Sequence, residues 1–307
     1  MSSEASEQMR HLKFVQHQYR DHDLQRLGVW KRPACVDSLS SKYWVVFIHG
    51  GAWRDPRNTF EDFAPCVEYM QSSADPALSS ICGFVSIDHR LSPHPEFPQD
   101  PAATTRHALR HARHPDHIAD VYSALAFVQR EYDIEGNYIL VGHSSRAPIA
   151  CQLLIGHAAL HGHVTDTLLH LPAAIVGIYG IYDLGGLNDR YGDDYAGFLE
   201  GAFGTDRKVW QQISPSCFPG DLKAAGKTAR RSGRALYTIL AGSPDDTLLD
   251  SAEVEVMKAK LTKDAVEVES MNLVGDHDFV WKEASQVARL VSQCVKTLEA
   301  QQPDTGK

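Results

Sequence analysis

The chain of 307 residues has no stretch approaching the ~18 consecutive apolar residues that cross a bilayer. It has no cationic excess. Asp and Glu number 39 against 30 Lys and Arg, so a phosphate-neutralising surface is not expected and nucleic acid is set aside as a partner. It has no CxxC pair. The six cysteines, Cys35, Cys66, Cys82, Cys151, Cys217 and Cys294, are scattered, mostly among apolar neighbours. Reduced, buried thiols in a reducing compartment are the expectation. The opening residues MSSEASEQMRHLKF lack the apolar core of a secretory signal, so a soluble, cytoplasmic protein is expected. No internal repeat and no long linker divides the chain. One domain over residues 20–300 is expected, with flexible tails at 1–15 and 300–307.

What is present is a strand–helix rhythm. Hydrophobic residues make up 43% of the chain, enough for a sizeable core. Continuous apolar runs at residues 44–48, 84–87, 138–141, 174–179 and 235–240 read as strands buried on both faces. Residues 266–269 alternate in polarity and suit an edge strand. Apolar residues recur at helical spacing over 116–132 and 281–298. Such alternation predicts a mostly parallel sheet with helices on both faces. Residues 184–234 break the rhythm with Gly, Asp and aromatics, and are expected to form a small irregular cap.

The run at 138–141 leads into Gly142-His143-Ser144-Ser145-Arg146. Apart from its last position this is the G-x-S-x-G turn of the α/β-hydrolase fold. The turn is sharp, so it demands small residues two before and two after the nucleophile. It lifts the serine hydroxyl above the sheet and aims helix N–H groups at it. Gly142 meets the first demand and Arg146 breaks the second. The Arg146 side chain must therefore escape between helix and strand, or the turn must relax. Pro148 suits the first helical turn, where an N–H is dispensable. The rival reading makes Ser144 a helix cap only. A frame shifted to Ser145 would put His143 at a small-residue position.

His49-Gly50-Gly51-Ala52-Trp53 follows the first apolar run. Glycines there let backbone N–H groups reach a substrate oxyanion, so Gly50 and Gly51, with the N–H of Ser145, are the candidate donors. The fold requires the triad in the order Ser, acid, His. Asp246, in the turn after the run at 235–240, is the first choice for the acid and Asp245 the second. His277, in Gly275-Asp276-His277-Asp278, is the candidate base. His49, Trp53 and Arg146 are expected to line the substrate pocket. His107, His111, His114 and His117 imitate a metal-binding face, but Pro115 interrupts any helix across them and no acid or thiol ligand clusters alongside. No metal and no cofactor are expected.

Longer stretches carry a resemblance. HGGAWRDPRNTFEDF from His49, DHRLSPHPEFPQD from Asp88, HPDHIADVYSALAFVQ from His114, GIYDL from Gly180 and SPDDTLL from Ser243 resemble fungal kynurenine formamidases. The likeness spans roughly residues 20 to 295. It implies a cofactor-free serine hydrolase that splits N-formyl-kynurenine into kynurenine and formate in tryptophan catabolism. It implies Ser144, Asp246 and His277 as catalytic residues, with Gly50, Gly51 and Ser145 at the oxyanion. The sequence departs from the family at Arg146, where Gly is expected, and at His89, where Tyr is common. The alternative is therefore a diverged α/β-hydrolase of specialised metabolism with lost or altered chemistry. A small-molecule substrate is the expected partner, and a homodimer is kept as an open expectation.

Overall fold

The computed structural model describes residues 12–32, 43–156, 169–224 and 236–301. Its framework is an eight-stranded sheet: β1 (Lys13–Gln18), β2 (Arg26–Lys31), β3 (Tyr43–Ile48), β4 (Ile81–Ile87), β5 (Tyr138–His143), β6 (Ala174–Ile178), β7 (Tyr237–Gly242) and β8 (Glu267–Asn272). The spatial order is β1-β2-β4-β3-β5-β6-β7-β8. β1/β2 and β2/β4 pair antiparallel and every other pair is parallel. This is the α/β-hydrolase fold.

The central strands are buried on both faces because side chains alternate. On β3, Val45 and Phe47 join one core, while Trp44, Val46 and Ile48 join the other. On β5, Ile139 and Val141 divide from Tyr138 and Leu140 in the same way. The first core is closed by α1 (Ala64–Ser72) and α9 (Ala284–Ala300). The second is closed by α2 (Asp116–Tyr132), α3 (Ala147–Ile155) and α7 (Ala252–Lys263). The α9 stripe of Val287, Leu290, Val291, Cys294, Val295 and Leu298 is fully buried. Each of its larger side chains contributes about 1.5–3 kcal/mol as an upper bound.

Several boundaries differ from the sequence reading. The domain begins before residue 20: residues 13–15, assigned to a flexible tail, lie in β1 and pair with β2. The helix expected over 281–298 is two helices, α8 (Phe279–Lys282) and α9. The chain leaves helical geometry at Glu283, whose carboxylate accepts the N–H of Ser285 and starts α9 afresh. The insert from residue 184 is built mainly of short helices where it is described. It holds α4 (Leu184–Arg190), α5 (Ala196–Phe203) and α6 (Arg207–Ile213), of which α4 and α6 are capped by the carboxylates of Asp183 and Asp206. Residues 225–234 of the expected cap, most of both expected tails and Cys35 lie outside the described residues.

Candidate active site

β5 sits mid-sheet between β3 and β6, so its carboxyl end opens at the centre of the molecule. Ser144 follows it directly with φ at 53°. A left-handed serine is strained, and functional turns are where such strain is retained. The turn is as tight as the motif demands. A Cβ on Gly142 would meet the carbonyl oxygen of Arg146 at 2.7 Å and Cα of Ala147 at 2.8 Å. Ser144–Arg146 form one 3₁₀ turn that runs into α3, with Pro148 in its first turn.

The Ser144 hydroxyl lies 2.8 Å from Nε2 of His277, and Nδ1 of His277 lies 2.8 Å from Oδ2 of Asp246. The other oxygen of Asp246 accepts the N–H groups of Leu248 and Leu249. With Nδ1–H donating to Asp246, Nε2 is left as an acceptor for the serine proton. Asp245 is exposed and accepts the N–H of Gly275 instead. His277 is 6% exposed and Ser144 8%, so the relay is nearly dry. His143 Nε2 lies 3.1 Å from the carbonyl of His277, donating to it and tying the elbow to the histidine loop. Burial, and then the neighbouring His277, holds the His143 pKa well below its ordinary value, so it serves as a neutral donor.

Gly50 lies against this elbow. A Cβ there would stand 2.7 Å from Nδ1 of His143 and 3.0 Å from Cβ of Ser144. Gly51, Ala52 and Trp53 all take positive φ, at 99°, 47° and 61°. The turn closes when Arg54 N–H donates to the Gly51 carbonyl at 2.9 Å. His49 lies 3.4 Å from Asp88, which also accepts from Arg26 and from the N–H of Phe60. That network fixes the start of the glycine turn.

No family model matches the chain. It is 33% identical over 290 residues to a kynurenine formamidase-like hydrolase of Fusarium equiseti, covering 90% of each chain. It is 31% identical over 257 residues to a kynurenine formamidase of Aspergillus versicolor, covering 78% of this chain and 84% of that one. The chain belongs to the kynurenine formamidase-like family of α/β-hydrolases. An inhibited esterase B from Lactobacillus rhamnosis shares the fold, with a TM-score of 0.66, 13% identity, and coverage of 94% of this chain and 88% of that one. The relatives named are a formamidase and a formamidase-like hydrolase, and this chain is a hydrolase of that family.

Within this kynurenine formamidase-like framework, Arg146 stands where the G-x-S-x-G turn asks for a small residue. It is 0% exposed. The elbow has not relaxed; the side chain escapes sideways. Its Nε donates to Nε2 of His89, its Nη1 donates to the Ser145 hydroxyl at 3.2 Å, and its guanidinium lies 5.5 Å from the Trp53 ring centroid. Nη2 is buried with no hydrogen-bond partner among the described residues. His89 can accept because its Nδ1 proton goes to the carbonyl of Arg90. Burial and Arg146 together hold His89 and His117 well below the ordinary histidine value. Residues 89 and 146 are therefore joined in one contact. His49, Trp53 and Arg146, expected to line the pocket, are all buried, with 2% exposure or less.

The four spaced histidines disperse. Nδ1 of His107 pairs with the carbonyl of Asp21, Nδ1 of His111 with that of Leu109, and Nε2 of His117 with Ser92. Among the described residues, no three His, Cys, Asp or Glu side chains converge as metal ligands, and no helix is long and apolar enough to cross a membrane. Sequence reasoning missed Asp88, Tyr179 and Gln286. Tyr179 takes φ at 47° just past β6, donates to the Gly275 carbonyl, and sets its ring 5.2 Å from His277. Burial pushes its hydroxyl up to about 12, so it stays a donor. Gln286 grips both backbone polar groups of Val274. The one available signal was position: Tyr179 follows a buried strand at its carboxyl end.

Proposed function

We propose that the chain hydrolyses an aryl formamide such as N-formyl-kynurenine, releasing formate, through Ser144, His277 and Asp246. The observation that carries the reading is the unbroken relay from Asp246 through His277 to Ser144, with 2.8 Å at both steps. His277 Nε2 takes the proton as Ser144 Oγ attacks the formyl carbon. The N–H groups of Gly50, Gly51 and Ser145 face the oxygen that becomes negative; one such donor is worth ~2.7–4 kcal/mol of barrier. His277 then protonates the departing aniline nitrogen, the C–N bond breaks, and water repeats the sequence on the formyl ester. The arene makes the nitrogen a better leaving group than an alkyl amine. Trp53, with Phe198 and Phe203 of α5 packed on it, gives the site an aromatic wall.

The test is purified chain with N-formyl-kynurenine and with a short p-nitrophenyl ester. Ser144→Ala lowers kcat by about 10⁶-fold. Equal, negligible rates for both proteins on both substrates would overturn the reading. One observation favours the second reading, a diverged protein that no longer hydrolyses: the buried Arg146 cation beside the elbow. A fluorophosphonate that fails to label Ser144 would favour it.

A further inference from the structure

The loop between β4 and α2 carries groups that acyl transfer leaves unused. Together with α5 it walls a cavity of about 560 Å³, within the range of small-ligand sites. Arg54, Arg110, Arg113, His94, His111 and Phe97 are among its lining residues, and no carboxylate is, although the chain as a whole carries a formal charge of −9. Three nearby acids are engaged elsewhere or exposed. Asp55 is held by Arg57. Asp116 faces Arg90 and accepts the backbone N–H of Arg113. Glu96 is exposed, acting on Arg54 only through space.

The donors are arranged for an anion. Arg110 staples the loop by donating to the Phe97 carbonyl, and its Nε is buried with no partner among the described residues. His94 Nδ1 accepts the N–H of Glu96, which leaves Nε2–H as a donor. The cavity is coupled to the acyl site by one tight turn. Arg54 closes the turn that begins at Gly51, and its guanidinium lies 5.8 Å from the ring of Phe198, on which Trp53 stacks at 5.9 Å. Guanidinium pairs a carboxylate in bidentate fashion, and Phe97 with the loop prolines offers apolar surface beside it.

We propose that this cavity binds the carboxylate of the substrate, with Arg54 and Arg113 as its cationic partners. The proposal rests on the aryl formamide reading, since the kynurenine released there keeps its acid group. The full chain would be titrated calorimetrically with L-kynurenine and with L-kynurenine amide. The acid binds at least about tenfold tighter than the amide to the native chain, a difference one charge-assisted pair supplies. In Arg54→Gln/Arg113→Gln that preference falls below about threefold. A second variant guards against misfolding. A Cβ on Gly197 of α5 meets nothing within 4 Å, so Gly197→Leu fills the cavity with a better helix former and weakens acid binding. Equal affinity for acid and amide in the native chain, no binding of either, or a preference that survives both variants overturns the proposal. Inert N-formyl-kynurenine and inert ester would sink the catalytic reading alone; the acid-over-amide ratio still judges the cavity.

Discussion

The two sides of the serine are built on opposite principles. On one side, Asp246, His277 and Ser144 form a chain in which each polar atom has its partner. On the other, His49, His89, His117 and Arg146 crowd into a dry wall with one cation and two buried nitrogens, Arg146 Nη2 and His117 Nδ1, that have no hydrogen-bond partner among the described residues. Both sides are largely shielded, the wall more deeply than the relay. What differs is whether charge meets its complement. The relay side spends its buried carboxylate on one imidazole and two amides. The wall side holds its guanidinium with a neutral imidazole, a hydroxyl and an indole face, interactions weaker than an ion pair. Changes to the first side should therefore cost activity, and changes to the second should cost or return stability.

The largest effect is expected at Asp246. Asp246→Asn keeps the shape but lets His277 adopt the wrong tautomer, so kcat falls about ten-thousand-fold while the melting temperature moves little. Rates on a p-nitrophenyl ester, set beside a melting curve, check it. A drop in stability of the same order as the drop in rate would erase the contrast between the two sides.

The wall gives the next effect. Replacing a buried ion pair by well-packed apolar side chains is often neutral or stabilising by about 1–4 kcal/mol, and a buried charge without a counter-ion has less attraction to lose. Arg146→Met should raise the melting temperature by several degrees and change kcat less than about tenfold. Its pH dependence sharpens the point. His89, His117 and His143 are held neutral, their folded pKa values below the ordinary 6.5. As pH falls from 6.5 toward those depressed values, the unfolded chain binds protons the folded chain refuses, and stability is lost; above 6.5 it is complete. Arg146 depresses His89 and His117, and does not act on His143. Acid melts should therefore decline less steeply in Arg146→Met than in the native chain, without becoming flat.

This division also explains what could be read from the residues alone. Ser144, Asp246 and His277 could be singled out because each stands past the carboxyl end of a strand, buried for the first two and alternating at the sheet edge for the third, in the chain order the fold imposes. The central strands were legible because burial on both faces leaves an unbroken apolar run. β1 and β2 were not. KFVQHQ lies at the sheet edge, half exposed, and carries no such run. The cap helices are seven or eight residues long, two of them with internal glycines, too short for a period to stand out. The destination of Arg146 was beyond local pattern. It depends on the room beneath Trp53 and on His89, a residue from another strand end, accepting from it. Side-chain routes through a core are set by tertiary partners, which no window of sequence contains.

The smallest effect should come from the neighbour of the triad acid, and it tests how local the relay's completeness is. Asp245 differs from Asp246 by one position and in every physical respect. It is exposed, its Oδ2 accepts the Gly275 N–H at the long distance of 3.3 Å, and its own N–H is taken by Ser243. Asp245→Asn keeps an acceptor of the same shape and removes a charge that water already screens. Gly275 begins the loop that carries His277, and its φ of 96° with the Phe279 ring packed against it holds that loop whether or not residue 245 is charged. The rate on a p-nitrophenyl ester should change by less than about threefold. A loss approaching that of Asp246→Asn would mean the acid's charge reaches His277 from either position, and that the relay is set by the field of the Asp245-Asp246 pair, not by the single 2.8 Å contact.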